Sequence, residues 1–282
     1  MKLTHHCYGK SHVRVLKVTR KGKQHAVKEI DVAVSLQGDF NDSYTKADNR
    51  LVVATDSMKN TVNVLAKENL NGNIEEFGIV LAEHFLSTYK QVSTAEIQIV
   101  EHRWERIRVK GKPHAHSFME KGTAKPFTRV VGTRYKNRLE TVVESGIEDL
   151  LILKSTGSGF EKFLRDKFTT LLETGDRIFA TKLKATWTFF RNPRSFAVTN
   201  TRILDAMMAI FGENYSPSVQ VTLFEMGEAA LKAAPEISKI HLAMPNKHCL
   251  PINLAPFGLE NKNEVFVPTD EPHGQIEGTV TR

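Results

Sequence analysis

Val13-Arg-Val-Leu-Lys-Val-Thr-Arg-Lys-Gly-Lys-Gln-His-Ala-Val-Lys-Glu-Ile-Asp-Val-Ala-Val-Ser-Leu36 decides the fold class. Val13 and Val15 near its start, and Val32, Val34 and Leu36 at its end, alternate with polar residues, the period of half-buried strands. Lys21-Gly22-Lys23 supplies the turn that brings the two strands antiparallel. Two amphipathic helices are expected next. Met58, Val62 and Leu65 share a face of the first, and Ile74, Phe77, Leu81 and Phe85 share a face of the second. Glu96-Ile-Gln-Ile-Val100 then resumes as a strand, and Phe127 to Tyr135 is a further candidate.

The second half follows the same plan. One strand is expected over about residues 142–153, and another from Lys184 to Phe190 with Ala185, Trp187 and Phe189 on one face. Helices follow around Ile203, Leu204, Met207, Met208 and Phe211, and from Pro217 to Ala234; Glu236-Ile-Ser-Lys-Ile240 starts the returning strand. Strand–strand–helix–helix–strand–strand, twice, predicts an α+β protein of two similar halves, residues 1–138 and 139–282. Identity between the halves is negligible, so the repeat is one of pattern. Antiparallel sheets with helices on one face leave open edges, and association of copies is a common way to close them.

Composition narrows the class. With 282 residues, 40% hydrophobic and 25% charged, the chain reads as an ordinary soluble globular protein with a substantial core. No apolar run is long enough to span a bilayer. Met1-Lys-Leu-Thr-His lacks the apolar core of a signal peptide, and Thr279-Val-Thr-Arg282 is no peroxisomal ending. Cys7 and Cys249 form neither a disulfide framework nor a zinc spacing. A reduced, cytoplasmic protein is expected. The formal charge of +7 is spread over scattered residues without a nucleic-acid motif, so it reads as solubility and steering of small anions toward a cleft.

Leu150-Leu-Ile-Leu153 reads as a buried strand, broken by Lys154-Ser-Thr-Gly-Ser-Gly-Phe160, and a guanidinium follows at Arg177. A ring that stacks and a fork that grips two acceptors suit a flat, anionic heterocycle; a core Phe and a surface Arg are the plainer alternative. Thr55, Asp56 and Ser57 are N-cap types at the start of the helix that carries Met58. Ser216 is another, with Pro217 in the first turn, which leaves the Val219 N–H without an intrahelical partner and Gln220 beside it. Capping alone explains both starts, while free N–H groups at a positive helix end also make an anion site.

Lys10, in Tyr8-Gly9-Lys10, is either a solvated edge residue or, desolvated beside a hydroxyl, a base. Asn246 and His248 alternate across the extended Met244-Pro-Asn-Lys-His248 and so share a face. Such a pair can position a water or dioxygen and move protons. His5-His6 and His114-Ala-His116 are the candidate metal ligands. The second pair sits in Gly111-Lys-Pro-His-Ala-His-Ser, which reads as a turn with no Cys or carboxylate to complete a shell, so both pairs are expected to be structural. Gly-x-Gly-x-x-Gly, Walker, Gly-x-Ser-x-Gly and His-Glu-x-x-His motifs are absent, leaving cofactor-free chemistry or a metal held by dispersed ligands.

Taken in order, Tyr8-Gly-Lys10 with Val13-Arg14, Val53-Ala-Thr-Asp-Ser57 with Lys59-Asn60, and His102-Arg-Trp104 form one set of motifs. Lys112-Pro-His-Ala-His-Ser-Phe118, Lys154-Ser-Thr156 with Phe160, Arg165-Asp166, Asp176-Arg177, and Leu242 with Pro245-Asn-Lys-His248 continue it. Nearly end to end, the chain resembles the urate oxidase (uricase) family. The resemblance implies the tunnelling fold, or T-fold: two repeats per chain, a barrel completed by a dimer, and two barrels stacked into a homotetramer. It implies oxidation of urate by O2 and water to 5-hydroxyisourate and hydrogen peroxide, in purine degradation. Neither metal nor organic cofactor is expected, and neither nucleic acid nor membrane as a partner.

By position, the resemblance implies that Phe160 stacks on the purine and that Arg177 and Gln220 grip its edge, helped by the Val219 N–H. Asn246 is expected to hold dioxygen, and later water, above the ring. Lys10, Thr55 and His248 are expected to form a proton relay, with Thr55 and Asp56 reaching the site from a neighbouring subunit. The missing peroxisomal ending, common in eukaryotic members, points to a bacterial cytoplasmic enzyme. Two other readings remain open. A zinc-dependent pterin or purine hydrolase of the same fold would hold metal and lose activity to a chelator. An anion- or nucleic-acid-binding module would bind oligonucleotides in a salt-sensitive way without turnover.

Overall fold

The structure, a computed structural model, describes residues 1–136 and 138–282. It is α+β, and its chain forms two compact units: Met1–Gly146 with Thr188–Ala197, and Ile147–Trp187 with Val198–Arg282.

The first unit opens with β1 (Tyr8–Lys21) and β2 (Gln24–Gly38), a hairpin at the expected place whose turn is Gly22–Lys23, closed by the Lys21↔Gln24 pair. Three helices follow, α1 (Asn41–Thr45), α2 (Thr55–Asn69) and α3 (Ile74–Thr88). The chain continues through β3 (Val92–His102), the separate hairpin β4 (Trp104–Val109) and β5 (Lys112–Glu120), β6 (Lys125–Tyr135) and the first part of β7 (Arg138–Lys154). The strand order is β1-β2-β3-β6-β7, with the β1–β2, β2–β3 and β3–β6 pairs antiparallel.

Alternation in the sequence becomes burial here: Ile30, Val32, Val34 and Leu36 of β2 and Ile97 and Ile99 of β3 are closed to solvent. Met58, Val62, Phe77, Leu81 and Phe85 supply the helix side of the core. Each such side chain contributes about 1.5–3 kcal/mol on burial. Gly78 lets α3 lie close on the sheet, since a Cβ there would stand 2.8 Å from Val130 Cγ2.

The place of one turn in this unit is corrected. His114-Ala-His116 lies within strand β5 instead of a turn. The turn is Lys110–Gly111, both with positive φ (50° and 77°), the backbone that matches the twist of a tight hairpin. Pro113 therefore pairs opposite Arg108 in the strand.

The second unit holds the remainder of β7, β8 (Phe179–Phe189), α4 (Phe196–Glu213) and α5 (Val219–Ala233). It ends with β9 (Ile237–Ala243), β10 (Asn246–Pro251), β11 (Phe266–Gly274) and β12 (Glu277–Thr281). β10 lies between β8 and β11, and β12 pairs with β9. Leu183, Ala185 and Trp187 of β8 are buried with Ile203, Met207, Leu223, Met226 and Ala230 of the helices. Trp187 places its indole N–H on Asn200 Oδ1 at 3.0 Å, and Phe179 meets Phe211 at 5.2 Å between ring centroids. In neither unit does the sheet close into a barrel among the described residues.

Candidate active site

In the second unit, main-chain hydrogen bonds gather three segments that are far apart in sequence. β7 ends at Lys154, and the Ser/Thr/Gly run turns back with Gly157 at φ 73°, a left-handed conformation that favours glycine. The Gly159 N–H donates to the Ser216 carbonyl (2.8 Å), and the Ser216 N–H donates to the Gly157 carbonyl (2.8 Å). The Arg177 N–H donates to the Ser158 carbonyl (2.7 Å), while Phe160 and Thr174 exchange both main-chain bonds. Phe160, Arg177 and the segment leading into α5 are thereby fixed to one another. The Arg177 guanidinium carbon lies 5.4 Å from the Phe160 ring centroid, and Phe163 stacks on Phe160 at 5.0 Å with 8° between planes. Arg177 is half-buried, and that desolvation pulls its guanidinium below its usual range, so an anion beside it would be favoured.

Asp176, to which residue type alone gives no role, holds this corner. Its two carboxylate oxygens accept from Thr156 Oγ1 at 2.9 Å each, and one also accepts from the Gly157 N–H at 2.9 Å. Tyr215 adds a bond from its hydroxyl to the Gly175 carbonyl (2.9 Å). A signal for Asp176 existed: an acidic residue directly before the key Arg, with a Thr-Gly turn twenty residues upstream.

Both helix starts differ from the expected caps. α5 begins at Val219 and is capped by Ser218, whose Oγ accepts from the Val221 N–H at 3.3 Å. Ser216 is not the cap. Pro217 holds Ser216 in extended backbone, and its main chain serves the Phe160 turn instead. Val219 is nonetheless the first helical residue, so its N–H has no partner one turn back, with Gln220 next to it. In the first unit, α2 is preceded by Ala54, which makes no side-chain cap, and Thr55, Asp56 and Ser57 fall inside the first turn. The Asp56 carboxylate accepts from Lys59 Nζ and from Asn60 Nδ2 (3.1 Å). Lys59 holds it below the ordinary carboxylate range, and the charge of Lys10 acts in the same direction.

Tyr8 ties together the two segments that carry Lys10 and Thr55. The Tyr8 hydroxyl accepts from the Val53 N–H (2.7 Å) and donates to the Val53 carbonyl (3.2 Å), tying the start of β1 to the residue two before Thr55. Burial raises the Tyr8 phenol above its usual range, which keeps that donor protonated. Gly9, between Tyr8 and Lys10, must be glycine, because a Cβ there would overlap the Val34 carbonyl.

Asn246 opens β10, opposite Thr181 of β8 and Gly274 of β11. His248 stands opposite Thr269, whose hydroxyl donates to the His248 carbonyl at 3.3 Å; the pairing with β11 slips between Asn246 and His248. Both side chains are half-buried. The structure therefore places Lys10, Thr55 and Asp56 in the first unit and Phe160, Arg177, Val219, Gln220, Asn246 and His248 in the second. Arg177 runs directly into β8, the strand on which β10 lies.

The histidine pairs have aromatic company. His6 lies 5.0 Å from Tyr44 between centroids, and His114 and His116 lie 4.6 Å apart with His25 at 5.7 Å from His116. Among the described residues, no group of three or more His, Cys, Asp or Glu side chains is arranged to hold a metal ion, and no helix is long and apolar enough to cross a membrane.

Comparison with known proteins identifies the family. A family model described as Uricase matches residues 6–131 and 143–277. Uricase of Dictyostelium discoideum is 42% identical over 278 residues, spanning 98% of this chain and 96% of that protein. Uricase of Arabidopsis thaliana is 42% identical over 296 residues, spanning 98% and 94%. The crystal structure of uricase from Arthrobacter globiformis superposes with a TM-score of 0.93 at 37% identity, covering 100% of this chain and 95% of that one. With a family model matching nearly its full length and relatives of this identity, the chain belongs to the uricase family of oxidoreductases.

Proposed function

We propose that the protein oxidises urate with O2 and water to 5-hydroxyisourate and hydrogen peroxide, using neither metal nor organic cofactor, as a step of purine degradation. Oxidation of urate is the reaction after which the family is named. The observation that carries the proposal is the Phe160 ring beside the half-buried Arg177 guanidinium, both fixed by main-chain bonds to the segment entering α5. A planar purine anion stacks on Phe160, while Arg177, Gln220 and the Val219 N–H take its edge.

Ground-state dioxygen is a triplet and reacts poorly with closed-shell molecules, but an electron-rich urate dianion can give it one electron. The protein's task is then to remove protons and fix geometry. Lys10, Thr55 and His248 form the relay that yields the dianion and later activates water. Asn246 holds dioxygen, then water, above the ring. Preorganised donors toward the developing charge are worth about 3 kcal/mol each. Urate, dioxygen and water give 5-hydroxyisourate and hydrogen peroxide, so atoms and electrons balance without a further oxidant.

In this reading residues 1–138 and 139–282 are two T-fold repeats, and the active enzyme is a homotetramer. Thr55 and Asp56 enter the site from a neighbouring subunit. Assembly is supported by apolar surface that one chain leaves open: Leu164, Phe168 and Leu172 are 94%, 76% and 78% exposed. The two free thiols, Cys7 and Cys249, suit a reducing compartment such as the cytoplasm. The test is to incubate EDTA-dialysed protein with urate in air and follow urate absorbance and peroxide together. Equal loss of urate and gain of peroxide is expected; no loss of urate refutes the proposal.

A further inference from the structure

Thr181 of β8 is fully buried, and its Oγ1 has no hydrogen-bond partner among the described residues, a condition it shares only with His6 Nδ1. A buried hydroxyl without a partner weakens a fold, and Val would fill nearly the same space without one. Directly across the sheet stands Asn246. Paired residues on adjacent antiparallel strands project to the same face with Cβ atoms about 5 Å apart, so a Thr hydroxyl reaches a neighbouring carboxamide once the amide turns toward it. On its other side Asn246 faces Gly274, which offers no side chain. Thr181 is therefore the polar cross-strand neighbour of Asn246.

We propose that Thr181 is a positioning residue for the oxidation: with the site filled, its hydroxyl donates to Asn246 Oδ1 and so commits the amide NH2 to the dioxygen-derived group. The two ends of an Asn amide are nearly the same size, and only the NH2 end donates to developing negative charge on oxygen. A donor fixed on Oδ1 removes the wrong orientation. The inference rests on the role given above to Asn246 and deepens it.

The experiment compares Thr181→Val, Thr181→Ala, Thr181→Ser, Asn246→Ala and the double variant Asn246→Ala/Thr181→Val, by thermal melting and by steady-state urate oxidation. Thr181→Val is expected to melt no lower than the parent, keep its urate KM within about twofold and lose about tenfold in kcat. Thr181→Ala should lose kcat alike, and Thr181→Ser should recover most of it. Adding Thr181→Val to Asn246→Ala should cost nothing further, because both changes remove one interaction. Full-rate turnover of Thr181→Ala or Thr181→Val overturns the proposal. So does a Thr181→Val that loses stability and activity together, or losses that multiply in the double variant. If Asn246→Ala itself turns over at the parental rate, the role of Asn246 fails instead, whatever the Thr181 variants do.

Discussion

Asp176 offers a way to loosen Arg177 without touching it. Its carboxylate accepts from Thr156 Oγ1 and the Gly157 N–H, all at 2.9 Å, and so pins the turn whose Ser158 carbonyl receives the Arg177 N–H. Hydrogen bonds to a charged acceptor are worth about 1.5–3 kcal/mol, but Thr156 and Asp176 are exposed, and solvent reduces their sum to about 1–2 kcal/mol. Asp176→Ala is therefore expected to lower stability by that amount, a fall in Tm of about 2–8 °C for a chain of this size. The same loosening spreads to Phe160 through Gly159. Urate KM should rise about 5–30-fold, the factor equivalent to 1–2 kcal/mol, with a smaller change in kcat. Thr156→Val removes only the hydroxyl bonds and should fall between parent and Asp176→Ala. The double variant should resemble Asp176→Ala alone, since the two side chains share those bonds. Steady-state kinetics on all four proteins decide the matter. Additive losses, or a collapse of kcat at unchanged KM, would show that Asp176 does not work through the turn.

Other outcomes follow from the same geometry. Lys10→Met should lower turnover far more than urate binding, whereas Arg177→Ala should mainly weaken binding, by about 2–4 kcal/mol, because it removes a charge-assisted bidentate contact. Equal effects of the two on a measured Kd would show that Lys10 is not a base. Arg129 donates to Glu96 through Nε (3.0 Å) and Nη2 (2.7 Å) and to Glu144 through Nη1 (3.2 Å). The Arg129 bond holds the Glu96 carboxyl below its usual range, against a smaller opposing effect of burial. Such a group contributes stability above its unfolded pKa and loses it as pH falls through the lowered folded value. Arg129→Met should therefore cost about 1–2 kcal/mol near neutral pH after allowance for partial exposure, with the gap closing below about pH 4. Melting across pH tests this, and a gap that does not change with pH would refute it.

Periodicity made the framework legible. The alternation of Val32, Val34 and Leu36 and the helical spacing of Ile74, Phe77, Leu81 and Phe85 are local properties, and each maps onto burial in the structure. Helix starts were harder to read because neighbouring polar residues compete to be the cap. Which one wins depends on backbone angles that a proline or a packing contact decides: Ser218, extended at φ −162°, is the last non-helical residue, although Ser216 also carries a hydroxyl. The hairpin turn at Lys110–Gly111 was misplaced for a similar reason, since Gly111-Lys-Pro113 offers turn residues in two registers. Phe160 and Arg177 stood out by residue type. Their fixation did not, because bonds such as Gly159 N–H to the Ser216 carbonyl join positions with no local pattern between them. Tyr8 is hidden in the same way, because it acts on main-chain groups of Val53 that sequence does not display.

Several of the candidate positions break a rule that would otherwise favour the fold. Ala54 precedes α2 where Ser or Asp would add about 1 kcal/mol as a cap, so no side chain of the preceding residue occupies the first-turn N–H groups beside Thr55 and Asp56. Arg177 keeps a guanidinium where burial disfavours its charge. Thr181 keeps a hydroxyl that the core leaves unmatched. Among the described residues, each departure leaves a donor or a charge that the fold does not pair with a side chain. Two of them lie on the run from Arg177 into β8, and that strand also carries Asn246 on its neighbour. Sequences selected for stability alone lose such features readily, because single substitutions repair them. First-turn N–H groups and a guanidinium left unsatisfied by the fold are what the proposed anion site requires, and an unmatched Thr181 hydroxyl is what the proposed orientation of Asn246 requires.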